Sequence, residues 1–458
     1  MTGESTGATV LVTPPPTPNG PLHLGHLSGP YVAADVAARV ARSRDRRVVT
    51  MTGVDYHQNY VLAKARAADR PAETVAADYI GQIRDVFEAA RIHYDVFIDP
   101  AGDEAYRRAV TDLFAGLLDA GALPLEPGRL AGCEGCGRTM HHAYVSGTCA
   151  VCGSGANGGT CENCAAFTSA LDLLDAACTG CGGAPRPLPD PVPMLRLEAY
   201  RERLLEIWSR TDLPPRVWRL IRHYLAVGLP DVVLSYPTDW GIELTTGLVA
   251  GQRLDVWAEM AFGYAYAVAR AVDDTAVPGD PVTMAACAKA WQDVDRLWFF
   301  EGVDNVFYYA IMFPALFDAL GLPAEKVGLV VNEFYRLTGA KFSTSRNHAV
   351  WAHEFLHQED PGLLRLYLNW DRPDRHQSDF NLPAYREFAG WASEVLAGEV
   401  SVLPPRLAAE ELARAEHAVE LAGFDAPLAV RCLLAGRAAD PDRADRLLAA
   451  FTGAGSVG

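Results

Sequence analysis

No apolar run in this 458-residue chain approaches the roughly 18 residues that a bilayer-spanning helix needs. The opening residues, Met1 to Gly7, contain neither a basic nor an apolar stretch, so the expectation is no secretory leader and a cytoplasmic protein without membrane attachment. Positive charge is short as well. Forty Lys and Arg stand against 57 Asp and Glu, a formal net charge of −17. That balance argues against a protein whose main task is gripping phosphate backbones. Disorder is excluded too, because half of the residues are hydrophobic and only 21% are charged.

Cysteine is scarce outside one stretch. Eight of the ten cysteines form four CxxC pairs: Cys133/Cys136, Cys149/Cys152, Cys161/Cys164 and Cys178/Cys181. Two residues between paired thiolates let one tight turn present both sulfurs to one ion, and Gly135, Gly137, Gly153, Gly180 and Gly182 sit in or beside the pairs. Without a leader, zinc is a better reading than disulfides. Eight thiolates make two closed, structural Zn2+ sites. Nested pairing, inner with inner and outer with outer, is favoured over sequential pairing, and both stay open at this stage. Cys287 and Cys432 read as buried small apolar residues.

The chain reads as α/β. Residues 8–13 and 47–53 are short apolar runs with helical spacing over 25–45 between them, the opening of a βαβ unit. A helix at 71–91 and a strand at 94–98 extend it. The Gly- and Cys-rich stretch 128–185 interrupts the pattern as an insertion built around metal. Helical spacing covers 196–228, and strand-like runs at 231–235, 253–257, 297–300 and 327–331 suggest that the sheet then resumes. From 382 onward the pattern is amphipathic helix with a break at 404–405.

Two motifs carry chemistry. After the first strand, a proline-rich crossing leads to His23-Leu24-Gly25-His26 at a helix start, where two imidazoles and free backbone N–H groups can face an anion. Far downstream, Lys341-Phe342-Ser343-Thr344-Ser345-Arg346 is a loop able to close over a polyphosphate, with Lys341 neutralising charge on departing pyrophosphate. Together with the CxxC pairs, these resemble the HIGH and KMSKS signatures and the two-zinc insert of methionyl-tRNA synthetases, a branch of the class I aminoacyl-tRNA synthetases. Further likeness runs through Thr52 to His57, Asp239 to Ile242, Trp257, Gly302 and Asp304.

The resemblance implies a split Rossmann-like (HUP-type) parallel sheet with a zinc-knuckle connective insert and a short C-terminal helical region. The implied divisions are catalytic halves at 1–115 and 231–330, the insert at 116–230, a signature-loop region at 331–385 and the helical region at 386–458. It implies ATP and Mg2+ as well as zinc. His23, His26, Lys341, Ser343 and Ser345 would be catalytic, and Pro14, Gly25, Gly302, Asp304 and Arg346 would bind ATP. Pro15, Asp55, Trp257, Met260, Tyr264, Asn305 and Tyr309 would line the amino-acid site, Asp55 pairing with the α-ammonium.

Departures from the family pattern shape the functional expectation. Met260 stands where the family has Ala, Tyr309 where it has His, and Thr17 where it has Tyr; Thr344 replaces the second Lys of the signature loop. A smaller, repolarised pocket predicts a small or polar amino acid rather than methionine. The segment after Phe380 is too short for an anticodon-reading bundle. With the negative charge, this predicts transfer of the aminoacyl group to a small-molecule hydroxyl or hydroxylamine, with a separate cupin-type enzyme as a further partner. The alternatives are an authentic methionyl-tRNA synthetase that charges tRNA, and a non-catalytic paralogue.

Overall fold

The computed structural model describes residues 7–211, 213–273, 281–342 and 348–455. Five parallel strands form the central sheet: β1 (Ala8–Val12), β2 (Val48–Gly53), β3 (Val96–Ile98), β4 (Val294–Gly302) and β5 (Val327–Asn332). Their order is β5-β4-β1-β2-β3. β1 therefore has β2 on one side and β4 on the other, and the crevice beyond its carboxyl end is the switch point at which such sheets take ligands. All five residues of β1 are buried, as expected of a strand covered on both faces. Ala8, Val10 and Val12 face one core and Leu11 faces the other.

The chain leaves β1 through prolines, makes one helical turn at Leu24–His26 and a π turn at Leu27–Tyr31, then continues as α1 (Val32–Arg42). Pro30 lies inside the π turn; lacking an N–H, it cannot serve a regular ladder there. α2 (Ala72–Ala89) lies in the crossover from β2 to β3.

Between β3 and β4 lies the insert, made of short antiparallel pairs such as Leu130–Cys133 with Pro185–Leu188 and Gly159–Thr160 with Phe167–Thr168. Its own apolar cluster is small and includes Cys133 and Cys178, so it needs a staple beyond hydrophobic burial. The expectation that 231–235 and 253–257 rejoin the main sheet is corrected. Asp231–Val233 pairs antiparallel with Val192–Arg196, and Ser235–Tyr236 pairs with Arg253–Leu254. The second run ends because the Asp255 carboxylate accepts the N–H groups of Trp257 and Ala258, capping a helix, α3 (Val256–Val272). The runs at 297–300 and 327–331 do join the sheet, as β4 and β5.

From Pro361 the chain is mainly helical: α4 (Pro361–Trp370), α5 (Leu382–Ala397), α6 (Pro405–Ala418), α7 (Ala426–Gly436) and α8 (Pro441–Thr452). These helices share one core with α1 and α2, including Val36, Phe87, Leu364, Phe388, Val430 and Phe451. Arg365 of α4 fastens the layer. Its buried guanidinium donates to the carbonyls of Ala90, Ala450 and Phe451 and pairs with Asp35 of α1 at 2.5 Å. Among the described residues no helix is long and apolar enough to cross a membrane.

Arg365→Ala takes from the buried Asp35 one of its two arginine partners, leaving Arg39 at 2.7 Å, and leaves three carbonyls without this donor. Denaturant unfolding should show a loss of about 2–4 kcal/mol, the scale of buried acceptors left unsatisfied; a loss below about 1 kcal/mol would show that the helical layer holds without this residue.

Candidate active site

The two histidines of the first motif cap each other. The backbone N–H of His26 donates to Nδ1 of His23 at 3.2 Å, and the N–H of His23 donates to Nδ1 of His26 at 3.1 Å. The rings stack with centroids 3.7 Å apart. Burial, then the charges of His26 and Lys341, holds His23 well below the ordinary imidazole range; burial and Lys341 bring His26 down to about 4. Both rings are thus neutral near pH 7. With each Nδ1 already accepting a hydrogen bond, each ring proton lies on Nε2. The pair offers two N–H donors without adding charge. Gly25 makes the stack possible, because a Cβ there would lie 3.0 Å from Nδ1 of His23 and 3.3 Å from the Phe342 ring.

These histidines line a cavity of about 380 Å³ beyond the ends of β1 and β4. Pro14, Pro15, Gly25, Asp55, Trp257, Met260, Gly302, Asp304, Asn305 and Lys341 line it too, so residues from both ends of the sequence converge there. Lys341 Nζ is 3.6 Å from the Asp304 carboxylate. Ser343, Ser345 and Arg346, with Thr344, lie outside the described residues.

Asp55 is the most exceptional group. It is buried, one oxygen accepts from the Thr17 hydroxyl at 3.1 Å, and the other has no partner among the described residues. Burial, only partly offset by Thr17, raises its pKa to about 7. An unpartnered carboxylate oxygen in a cavity wall is a seat for a cation. Beside it, Tyr264 lines a small adjoining pocket with Pro15, Asp55 and Met260. Tyr309 lies behind this wall. Its hydroxyl meets that of Tyr264 at 2.9 Å and donates to the Met260 sulfur at 3.5 Å.

Three groups at the site carry no signal in the sequence. Tyr308 stacks on Trp257 at 3.6 Å, and the two rings also line a separate cavity of about 160 Å³ under the insert. Glu259, on α3, is buried against His57 Nδ1 at 2.9 Å. Glu162, between two cysteines of the insert, reaches Lys341 at 3.1 Å.

The cysteines gather in the nested arrangement, Cys133/Cys136 with Cys178/Cys181 and Cys149/Cys152 with Cys161/Cys164. Each pair closes the same turn, with the N–H after its second cysteine donating to the carbonyl of its first at 2.8–2.9 Å. That following residue has positive φ in every case: Gly137, Gly153, Ala165 and Gly182. All eight are free thiols. The Sγ–Sγ separations of 3.6 Å (Cys152–Cys161), 3.8 Å (Cys149–Cys164) and 3.9 Å (Cys136–Cys178) match the edges, about 3.8 Å, of a tetrahedron with metal–sulfur bonds of about 2.3 Å. Cys133–Cys181 is shorter, at 3.3 Å. The donor set and spacing fit two Zn2+ ions.

Comparison with known proteins places this arrangement. The pattern of the class I tRNA synthetases (M) matches residues 9–399. The chain belongs to that family. This synthetase is 32% identical over 379 residues to the methionine–tRNA ligase of Thermomicrobium roseum, covering 81% of this chain and 63% of that one. It is 31% identical to that of Methanobrevibacter smithii over 370 residues, 80% and 54% of the respective chains. It thus spans between half and two thirds of those relatives' lengths. In fold it is similar to Mycobacterium tuberculosis methionyl-tRNA synthetase in complex with methionyl-adenylate, with a TM-score of 0.69 at 18% identity, covering 97% of this chain and 89% of that one.

These findings correct the expectation of a small or polar amino acid, not methionine, and of a non-tRNA acceptor. Relatives about 30% identical over most of the chain are methionine–tRNA ligases, which favours the alternative of a methionyl-tRNA synthetase charging tRNA. The cupin-type partner falls with the acceptor that required it. The physical reason lies in the pocket wall. The Tyr309 hydroxyl is engaged by the Tyr264 hydroxyl and the Met260 sulfur, so the exchange of His for Tyr does not leave a free polar group facing the substrate.

Gly25→Ala should push the His23 ring off its stack and cut the turnover of any reaction the histidines assist, with melting temperature little changed. Steady-state kinetics beside thermal unfolding checks both; normal turnover would show that the stacked geometry is dispensable.

Proposed function

We propose that this chain activates methionine with Mg2+-bound ATP, forming methionyl-adenylate and pyrophosphate, and then passes the methionyl group to tRNA. The observation that carries the reading is the convergence, in one cavity at the β1/β4 switch point, of the neutral histidine pair, Lys341 and the unpartnered Asp55 oxygen. Free thiols suited to zinc fit a cytoplasmic enzyme.

Each group has a task in that reaction. The free oxygen of Asp55 takes the α-ammonium and orients the methionine carboxylate. A carboxylate oxygen attacks the α-phosphorus of ATP, and the bond to the bridging oxygen of pyrophosphate breaks. Nε2–H of His23 and of His26 donate to the oxygens on which charge grows, and Lys341 balances the leaving pyrophosphate. Gly302 and Asp304 hold the ribose, with Pro14 and Gly25 against the nucleotide. Pro15, Trp257, Met260, Tyr264, Asn305 and Tyr309 shape the side-chain site. Ser343, Ser345 and Arg346 complete the signature loop on the strength of the motif alone. The zinc ions hold the insert's turns and supply no step. On this reading 1–115 and 231–330 are the catalytic halves, 116–230 the insert, 331–385 the loop and contact region, and 386–458 the supporting helices.

Methionine-dependent pyrophosphate exchange is the direct test, followed by charging of tRNA; failure of methionine to support exchange when another amino acid does would refute the assignment. His26→Ala should lower kcat by about 10²–10³ with the fold retained, the effect of losing one donor to developing charge.

The pH profile should report Asp55. Its pKa in the empty site is raised, so it is protonated below about pH 7 and must shed that proton to pair with the ammonium. Methionine affinity should be full above that pH and weaken by about tenfold per unit below it. Asp55→Asn should bind weakly with no such inflection; an inflection that survives in this variant assigns it to another group.

A further inference from the structure

The second zinc knuckle touches the nucleotide site at two points. The Thr160 hydroxyl donates to the backbone carbonyl of Asp304 at 2.8 Å, and Glu162 reaches the Lys341 ammonium at 3.1 Å. Thr160 and Glu162 flank Cys161, and Cys164 follows two residues later, so both sit on the turn that the metal would fix. Lys341 is thereby held between two carboxylates, with Asp304 at 3.6 Å, and lies over the Phe334 ring at 3.8 Å.

Glu162 lines the same cavity as the histidine pair, and so do Asp304 and Lys341. The Glu162 side chain faces solvent, so water and salt screen its charge from a polyphosphate, and it acts on the site through the ammonium it touches. In the nucleotide-free protein the ammonium satisfies Glu162 and Asp304. To reach the phosphates it must leave one of them, and to free Asp304 for a ribose it must leave the other.

We propose that Glu162 is a positioning residue of the nucleotide site: carried on the zinc knuckle, it parks Lys341 away from the polyphosphate position until ATP draws the ammonium over. The insert thereby sets the nucleotide affinity of the catalytic body as well as holding its own fold. The proposal rests on the assignment of this cavity to ATP, not on which amino acid is activated. Because the contact is made in the empty site and given up on binding, its removal strengthens binding. The effect passes through Lys341 and vanishes where that residue is absent.

Calorimetric titration of the zinc-loaded full chain with Mg·ATP tests this in wild type, Glu162→Gln, Lys341→Ala and the double variant. The Glu162 side chain is 65% exposed, so the isosteric amide disturbs no packing, and zinc content reports an intact knuckle. Glu162→Gln should bind ATP about two- to fivefold more tightly at low salt, the scale of one exposed ion pair. In the Lys341→Ala background the same change should have no effect. Unchanged or weaker binding by Glu162→Gln overturns the proposal. So does an equal gain with and without Lys341, which would mean that Glu162 repels phosphate directly. A wild type that binds no ATP overturns the nucleotide-site reading and this proposal together. One that binds ATP but exchanges no pyrophosphate overturns only the activity, and the Glu162 comparison still stands.

Discussion

One buried guanidinium ties the two ends of the molecule together. Arg365 draws the turn after α2, the last turn of α8 and Asp35 of α1 onto a single side chain. Without a donor, those carbonyls would be buried polar groups facing an apolar layer. With it, the C-terminal helices pack on one face of the sheet, and α1, which follows the histidine turn, is held at its first turn through Asp35. The rigidity that the candidate site needs is supplied from behind it, by residues that touch nothing in the cavity.

In front, the histidine turn solves two problems together. A helix start has N–H groups without partners, and a site for a phosphate needs donors without counter-charge. By capping each other, His23 and His26 leave both Nε2 protons available and both rings neutral. Lys341 then contributes a positive charge, and Asp55 a carboxyl group whose pKa burial raises to about 7. Fixed dipoles, one cation and one buried carboxyl group are thus separated in space, the arrangement on which the proposed binding of a zwitterion beside a polyphosphate rests.

The sequence discloses the parts of this arrangement that are local. The β1 run, the Pro-rich crossing, the HLGH turn and the four CxxC pairs each declare themselves within a few residues, because turn chemistry and strand burial are local constraints. Spacing favours nested cysteine pairing but leaves the sequential form open, and the structure brings the pairs together in the nested one. What stays hidden depends on contacts between distant segments. Arg365 reads as any helix arginine until Asp35 and α8 are placed around it. Glu162 reads as a spacer between thiols. The run at 253–257 looks like a strand because its β-branched and aromatic residues do, while the cap made by Asp255 is invisible in one dimension. Met260 and Tyr309, read one at a time, each alter the pocket; that they engage each other is visible only once the fold brings them together.

The pairing of β1 with β4 has a consequence for how the molecule comes into being. β1 finds β2 across one short helix, but its other neighbour begins at Val294, after the whole insert. As the chain emerges during synthesis, β1 therefore keeps one unpaired edge until nearly two thirds of the polypeptide exists, and such an edge invites wrong partners. Closing so large a loop makes the correct pairing slow. An insert that can fold early around its own metal shortens the effective search, because it converts much of that loop into one compact body. The cleft lies between β1 and β4, so it cannot form before that edge is sealed.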